Sequence, residues 1–308
     1  MRKSLGLILL GLGSFLLFIG LLAIVWAPDK AERTPLDVDS TTYLTGEGGK
    51  LDLSTGEIEV QDLQATSVTR TDSEASDEDV AVWVSTSCLV IQTGDTPPCG
   101  ADQDDERLIN ASEEVFATDR YSGEAVNGDD YLPEGTREYE GLVNKWPFKS
   151  EKKTYAYFDS TLGETVDAVY DRTENLEGLE TYVYAVEVGD APIEIAEGVP
   201  GTYDTSKEIF VEPRTGAIVN QTFTQQRTLE DGTVALDIEL AFTEDQVADS
   251  VAATEDSLAT LNLLTQTVPI VGLGGGLLAL AIGLFLVLGE RRRQPVQVEE
   301  RPLDTAGV

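Results

Sequence analysis

The sequence contains no histidine, and that absence removes more chemistry than any other feature of it. Without imidazole there is no Ser-His-Asp or Cys-His triad and no His-ligated zinc or haem. Two cysteines are too few for an iron–sulfur cluster or a four-cysteine zinc site. Bases are scarce as well: 21 Lys and Arg stand against 56 Asp and Glu, a formal net charge of −35 over 308 residues. That balance excludes a nucleic-acid partner, because phosphate binding needs clustered cations. No phosphate-binding loop, no G-x-G-x-x-G after a strand and no G-x-S-x-G is present. The acidic run Asp102, Asp104, Asp105 and Glu106 offers oxygen ligands but lacks calcium-loop spacing, and reads as a solvated loop. No cofactor and no metal is expected.

What the sequence does hold is two long apolar runs. Residues 5–26 and 268–288 are 22 and 21 residues without a charge. About 20 apolar residues cross the roughly 30 Å hydrocarbon core of a bilayer as a helix. A cleaved signal peptide is the rival for the first run. That run exceeds the usual h-region of about 7–15 residues, and Val25-Trp26-Ala27 followed by Pro28 is a poor cleavage site. Both runs therefore read as transmembrane helices. Arg2 and Lys3 precede the first, and Arg291, Arg292 and Arg293 follow the second. By the positive-inside rule residues 1–4 and 289–308 are cytoplasmic, and residues 27–267 form an extracytoplasmic domain of a cell-membrane protein with two spans. Trp26 is placed to anchor the first helix at the outer interface.

The charge then divides unevenly. Residues 27–267 carry 15 bases and 52 acids, a net of −37, while the two ends together carry +2. Repulsion from anionic headgroups holds such a domain off the lipid surface; adaptation to high salt is an alternative cause of the same composition. Within the spans, Gly6, Gly13 and Gly20 recur every seven residues, and Gly272, Gly276, Ala279 and Gly283 form a small-residue stripe. Small side chains let helix backbones approach closely in lipid, so the spans are expected to pair, within one chain or between copies.

The domain between them reads as mainly antiparallel β-structure. Val234, Leu236, Ile238, Leu240 and Phe242 alternate with small and acidic residues, and Tyr182, Tyr184, Val186 and Val188 do the same. Turns are expected at residues 54–56, 212–216 and 230–232, the last of Asp-Gly type. Residues 71–79 and 121–141, dense in Gly, Asp, Glu and Pro, read as loops, the second wrapping the surface. Cys88 and Cys99 are expected to form a disulfide in the oxidising compartment outside the membrane. Residues 243–267 read as a membrane-proximal amphipathic helix. Thr243 and Gln246 form its capping box, and Val247, Val251, Thr254, Leu258 and Leu261 form one apolar stripe that docks on the sheet. A coiled-coil stalk is the alternative. The fold class is thus α+β: two transmembrane helices flanking a β-rich domain with a C-terminal amphipathic helix.

One segment departs from the acidic background. Lys145, Trp146, Phe148, Lys149, Lys152 and Lys153 place aromatics among bases, a candidate contact for an anionic lipid headgroup or a protein partner. Lysines on a strand edge, discouraging strand addition, are the alternative. That segment, KWPFKSEKKTYAYFD, together with GLETYVYAVEV, the IFVEPRTGAIVN hairpin, the acidic pre-membrane helix and the two spans, resembles the porin PorA family of actinobacterial envelope proteins. The resemblance runs nearly end to end and implies an integral membrane protein with an external β-rich domain, linked to envelope glycolipid assembly. It transfers no catalytic residues. The expected function is a non-enzymatic accessory or scaffold protein of envelope lipid biogenesis that binds membrane lipid, a glycolipid or a membrane-protein partner, with homo-oligomerisation through the helices. The alternatives are a channel or porin-like subunit and a carboxylate-based hydrolase of wall sugars.

Overall fold

A computed structural model describes residues 2–94 and 107–291. The elements are α1 (Arg2–Val25), α2 (Ala27–Ala31), β1 (Asp39–Asp52), β2 (Glu57–Ile58), β3 (Gln61–Asp72), β4 (Val80–Ile91), β5 (Leu108–Asp119), β6 (Tyr155–Asp159), β7 (Glu164–Leu176), β8 (Leu179–Ala196), β9 (Val199–Val211), β10 (Ile218–Leu229), β11 (Val234–Phe242), α3 (Glu244–Asn262) and α4 (Val268–Arg291). They form two compact units, one from the chain ends up to Ala31 and from Thr260 onward, the other from Glu32 to Ala259.

In the first unit α1 and α4 are each long and apolar enough to cross a membrane. They pack through their glycines. Gly6, Gly13 and Gly20 are buried on α1, and a Cβ added to Gly13 would lie 2.8 Å from the Gly276 carbonyl oxygen. A Cβ on Gly20 would meet the Leu273 nitrogen at 2.9 Å, and one on Gly283 the Gly6 oxygen at 2.8 Å. A seven-residue repeat keeps one seam facing the partner helix, so the glycines remove every side chain from the line of closest approach. Large side chains such as Phe15, Phe18, Leu278 and Phe285 project outward and stay exposed. Before α4 the chain makes one π-helical turn, Leu263–Thr267, in which the Val268 N–H bonds the Leu263 oxygen. Pro269 accounts for it: proline has no N–H to donate and its ring displaces the preceding turn.

The second unit is a sheet in the order β5-β4-β3-β1-β11-β10-β9-β8-β7-β6, with β2 paired to β1 beside that path. All its strand pairings are antiparallel. The first and last strands meet in the middle, so β5 and β6 form the two edges of a half-barrel. Residues 120–154 connect these edges, and at one end they also join them. The Val126 N–H bonds the Ala117 oxygen, Ala125 bonds Gly141, Leu142 bonds Ala156 and Phe158 bonds Leu142, at 2.8 Å each.

Residues 121–141 form the expected loop, largely exposed, with a few side chains turned inward. Leu132 and Tyr139 are buried, and the Tyr139 ring lies 5.4 Å from Phe116 and 4.7 Å from Phe158. The reason is that turn-forming residues bend the backbone while a few widely spaced apolar residues point inward, a pattern without a helical or strand period. Further along, the fully buried Trp146 stacks on Tyr157 and packs at a tilt against Tyr184. The Glu212–Gly216 turn, expected from the sequence, secures that segment. Its carboxylate accepts from the Thr215 N–H and hydroxyl, and the Trp146 N–H bonds the Gly216 oxygen at 3.0 Å. Gly216, at φ 72°, has no room for a side chain, since a Cβ would fall 2.0 Å from the Trp146 oxygen.

Helix α3 docks on the opposite face of the sheet. Val247, Val251 and Leu258 pack against Leu179, Val183, Phe210 and Val219, so the stripe is a docking face rather than a stalk seam. Thr243 caps it through the Gln246 N–H, but the Gln246 side chain accepts from the Tyr43 N–H of β1 instead of completing a capping box. Where α3 does not cover it, the outer face is charged: Asp237 and Glu239 are exposed, and Arg172 bonds Asp171, Glu174 and Glu208. A transmembrane barrel needs an apolar lipid-facing band there, and the described residues of this surface form none.

The glycine seam gives the first prediction. Gly276→Leu is expected to destabilise the protein in detergent by about 1–3 kcal/mol, seen as a lower melting midpoint. Gly274→Leu, with nothing within 4 Å of its Cβ, leaves the midpoint unchanged.

Candidate functional site: the cavity inside the half-barrel

The inner face of the sheet lines a half-open cavity of about 690 Å³, within the usual size of small-molecule sites. Strand alternation sorts its wall into three patches. Ser67 and Thr69 of β3, Ser85 and Ser87 of β4 and Ser112 of β5 form a field of hydroxyls. They pair across strands, Thr69 with Ser85 at 3.0 Å and Ser87 with Ser112 at 2.8 Å. Leu89, Ile109, Phe223, Leu236 and Ile238 make an apolar patch beside them, continuous with a core cluster around Leu63 and Leu240. Phe116, Phe158 and Val143 belong to the aromatic cluster at the joined end.

The third patch is ionic. Asp159, at the end of β6, has no exposed side-chain surface. Its Oδ2 accepts from Lys207 Nζ at 2.8 Å and from the Tyr203 hydroxyl at 3.1 Å, and its Oδ1 from the Thr161 and Leu162 N–H groups. Burial pushes the carboxyl up, but the Lys207 charge and these donors outweigh it and hold it below the ordinary range. Lys207 is displaced the other way: burial alone would lower it, yet Tyr157, Asp159 and Tyr203 keep its ammonium protonated more firmly than usual. Arg227 lies on the next strand, opposite Tyr203. With the Gln225 amide oriented so that its oxygen faces the guanidinium, that oxygen accepts from Nε at 2.9 Å and from Nη2 at 3.0 Å. Among the described lining residues three cations (Lys50, Lys207, Arg227) face two carboxylates (Glu114, Asp159), the reverse of the domain's overall balance.

A carboxylate held ionised by a lysine and three further donors is no general acid, so Asp159 does not provide the protonating half of a glycosidase pair. The wall suits binding instead, with hydroxyls for a polar group, an apolar patch for a chain and a cationic corner.

None of these residues stood out in the sequence, although Lys207 lies beside the IFVEPRTGAIVN hairpin read there. The available signal was phase. Lys207 alternates inward with Ile209 and Val211, and Arg227 with Phe223, in a domain where cations are rare.

The basic and aromatic segment is placed differently from a flat contact surface. Trp146 and Phe148 are core residues and present no face outward. Lys145 Nζ stands 3.8 Å from the centre of the Phe148 ring and donates to the Thr34 hydroxyl at 3.1 Å. Lys149, at φ 59°, pairs with Glu32 at 2.7 Å, and Lys153 with Glu151 at 2.8 Å. Lys152 lies over the Tyr182 and Tyr170 rings. Only Lys149, Lys152 and Lys153 are exposed. Cys88 is buried on β4, whereas Cys99 and the acidic run 102–106 lie outside the described residues, so the disulfide remains an expectation. Arg2 and Lys3 open α1 and Arg291 ends α4; Arg292 and Arg293 lie outside the described residues. Gly272, Gly276, Ala279 and Gly283 line the helix seam or its margin.

Two predictions follow from these charges. Asp159→Asn leaves Lys207 uncompensated and is expected to cost about 3–5 kcal/mol of stability, read from the thermal midpoint, with Lys207→Met on the same background recovering part of it. Lys145 is the pH-sensitive group: burial pushes its ammonium down to about 7, partly countered by Asp119. Between that value and the ordinary lysine range the unfolded chain binds the extra proton, so stability rises with pH. A midpoint that climbs from pH 7 to pH 9 in the wild type and climbs less in Lys145→Met is the expected result.

The Porin PorA family matches residues 5–285. No curated protein matches the chain. Among solved structures, the Aeromonas veronii immune modulator A aligns over 70% of this chain and 99% of its own, at 9% identity and a TM-score of 0.14, too slight a likeness to bear on the fold. The family match takes in almost all of both apolar helices and everything between them, and on that basis the chain belongs to the Porin PorA family.

Proposed function

We propose that this protein is a membrane-anchored, non-enzymatic binding protein of the cell envelope, which holds an amphipathic lipid or glycolipid inside its half-barrel and serves envelope lipid assembly. The observation that supports this reading best is the cavity wall, where hydroxyl and apolar patches adjoin over about 690 Å³. A ligand with a polar head and an apolar chain matches both patches at once. Helices α1 and α4 act as the anchor, and Arg2, Lys3 and the arginines at 291–293 place both termini on the cytoplasmic side. Their outward apolar faces serve lipid and, in a homo-oligomer, other helices. Lys149, Lys152 and Lys153 offer a contact for an anionic headgroup or a partner protein.

The family's description favours a second reading, a porin-like channel subunit. The charged outer face of the sheet argues against the sheet as the membrane-crossing part, so a pore would be built by α1 and α4 from several copies. Neither helix has a polar stripe to line it.

Purified full-length protein in neutral nanodiscs, analysed by native mass spectrometry, separates these readings. The binding reading expects a co-purifying lipid that is lost when the lumen is filled by Ser87→Phe. Equal lipid content in both proteins, together with discrete conductance in planar bilayers, would establish the channel instead.

A further inference from the structure

The cavity wall carries more cations than carboxylates, and Arg227 is its half-buried cation without a carboxylate partner among the described residues, whereas Lys50 is exposed and bonds the Leu108 oxygen. Asp159 is matched by Lys207, and both its oxygens are occupied. Arg227 has the neutral Gln225 oxygen as its partner, and no carboxylate among the described residues forms an ion pair with it. Guanidinium groups in clefts are ordinarily paired with an anion, because a desolvated charge without one is costly. Position adds to this. Arg227, Gln225 and Phe223 lie on one face of β10, successive inward positions roughly 7 Å apart. Arg227 pairs with Leu236 across the strand, and Gln225 with Ile238. The apolar patch of Phe223, Leu236 and Ile238 therefore adjoins Arg227, within reach of a chain attached to an anion held there.

We infer that Arg227 is an anion-recognition residue and that the ligand class of this cavity is a chain-bearing amphiphile with a carboxylate or phosphate head. The planar guanidinium fork matches either head group in a two-bond geometry that an ammonium does not reproduce. The Gln225 side chain orients the fork, and the Asp159–Lys207 pair next to it, being neutral as a unit, does not compete for the anion. This inference rests on the binding reading above and sharpens it: without the anionic head, the hydroxyl and apolar patches alone would serve a neutral glycolipid equally well.

The test uses the full-length protein in phosphatidylcholine nanodiscs, with cis-parinaric acid and its methyl ester as a matched pair that differs only in charge. Binding is read by energy transfer from protein tryptophan, with the Ser87→Phe protein as the blank for partition into lipid. The wild type is expected to bind the acid about tenfold more tightly than the ester, the margin of one charge-assisted hydrogen-bonded contact. Arg227→Gln is expected to lower acid affinity to that of the ester, and Arg227→Lys to retain part of the preference. Equal wild-type affinities for acid and ester overturn the inference and leave the cavity a neutral-lipid site, a comparison that needs no substitution at Arg227. A preference that survives Arg227→Gln in a folded protein also overturns it. If neither probe binds beyond the Ser87→Phe blank, the binding reading itself falls. A dodecyl phosphate competitor set against inorganic phosphate distinguishes a lipid head from a free anion: displacement of the acid by inorganic phosphate alone would overturn the requirement for a chain.

Discussion

The half-barrel depends on a short relay of backbone hydrogen bonds at one end. From β5 the relay passes through residues 124–126, then 141–142, and reaches β6. A sheet of this width with free edges would twist open, and the unpaired N–H and C=O groups of its edges would invite foreign strands. Joining the edges at one end fixes the curvature, and curvature is what turns an inner face into a cavity wall. Tyr139, packed between Phe116 and Phe158, fills the space beneath the relay, so that end is solid while the interior beyond it remains hollow.

Much of this fold was legible in the sequence wherever a single period governed the residues. The alternation from Val234 to Phe242 is a strand with those bounds, and the stripe from Val247 to Leu258 is a docked helix face. The seven-residue glycine repeat became the seam with α4 because helical geometry converts that period directly into one line of contact. Strands such as β5 and β7 were not legible. LINASEEVFATD mixes acids, hydroxyls and apolar residues, since one of its faces meets a partly polar cavity. Nor was the edge relay, which depends on bonds between residues brought together only by the closed sheet.

The site was the least legible part, for a physical reason. A cavity that binds an amphiphile needs hydroxyls and charges at inward positions, and those residues erase the contrast between faces by which a strand is recognised. Asp159, Lys207 and Arg227 look in the sequence like further surface charges of an acidic domain. Their meaning comes from what each faces: Asp159 is enclosed by four donors, Lys207 by a carboxylate and two phenols, and Arg227 by an amide and open space. The aromatic and basic segment shows the converse. Its unusual composition drew attention, yet most of its conspicuous residues serve the interior, with Trp146 at the centre of the core.

The meeting of β1 and β11 in the middle of the sheet has a consequence for biogenesis. β1 is made first among the strands and β11 last, and they are nearly 200 residues apart in the chain. The hairpins on either side can form locally as they emerge, but the join between them waits for the final strand. Until then β1 is an open template beside β3, and its Gly46, Gly48 and Gly49, flanked by Glu47 and Lys50, make it a poor one for strangers. A growing chain thus carries its own guard against mispairing at the one place where assembly must be delayed.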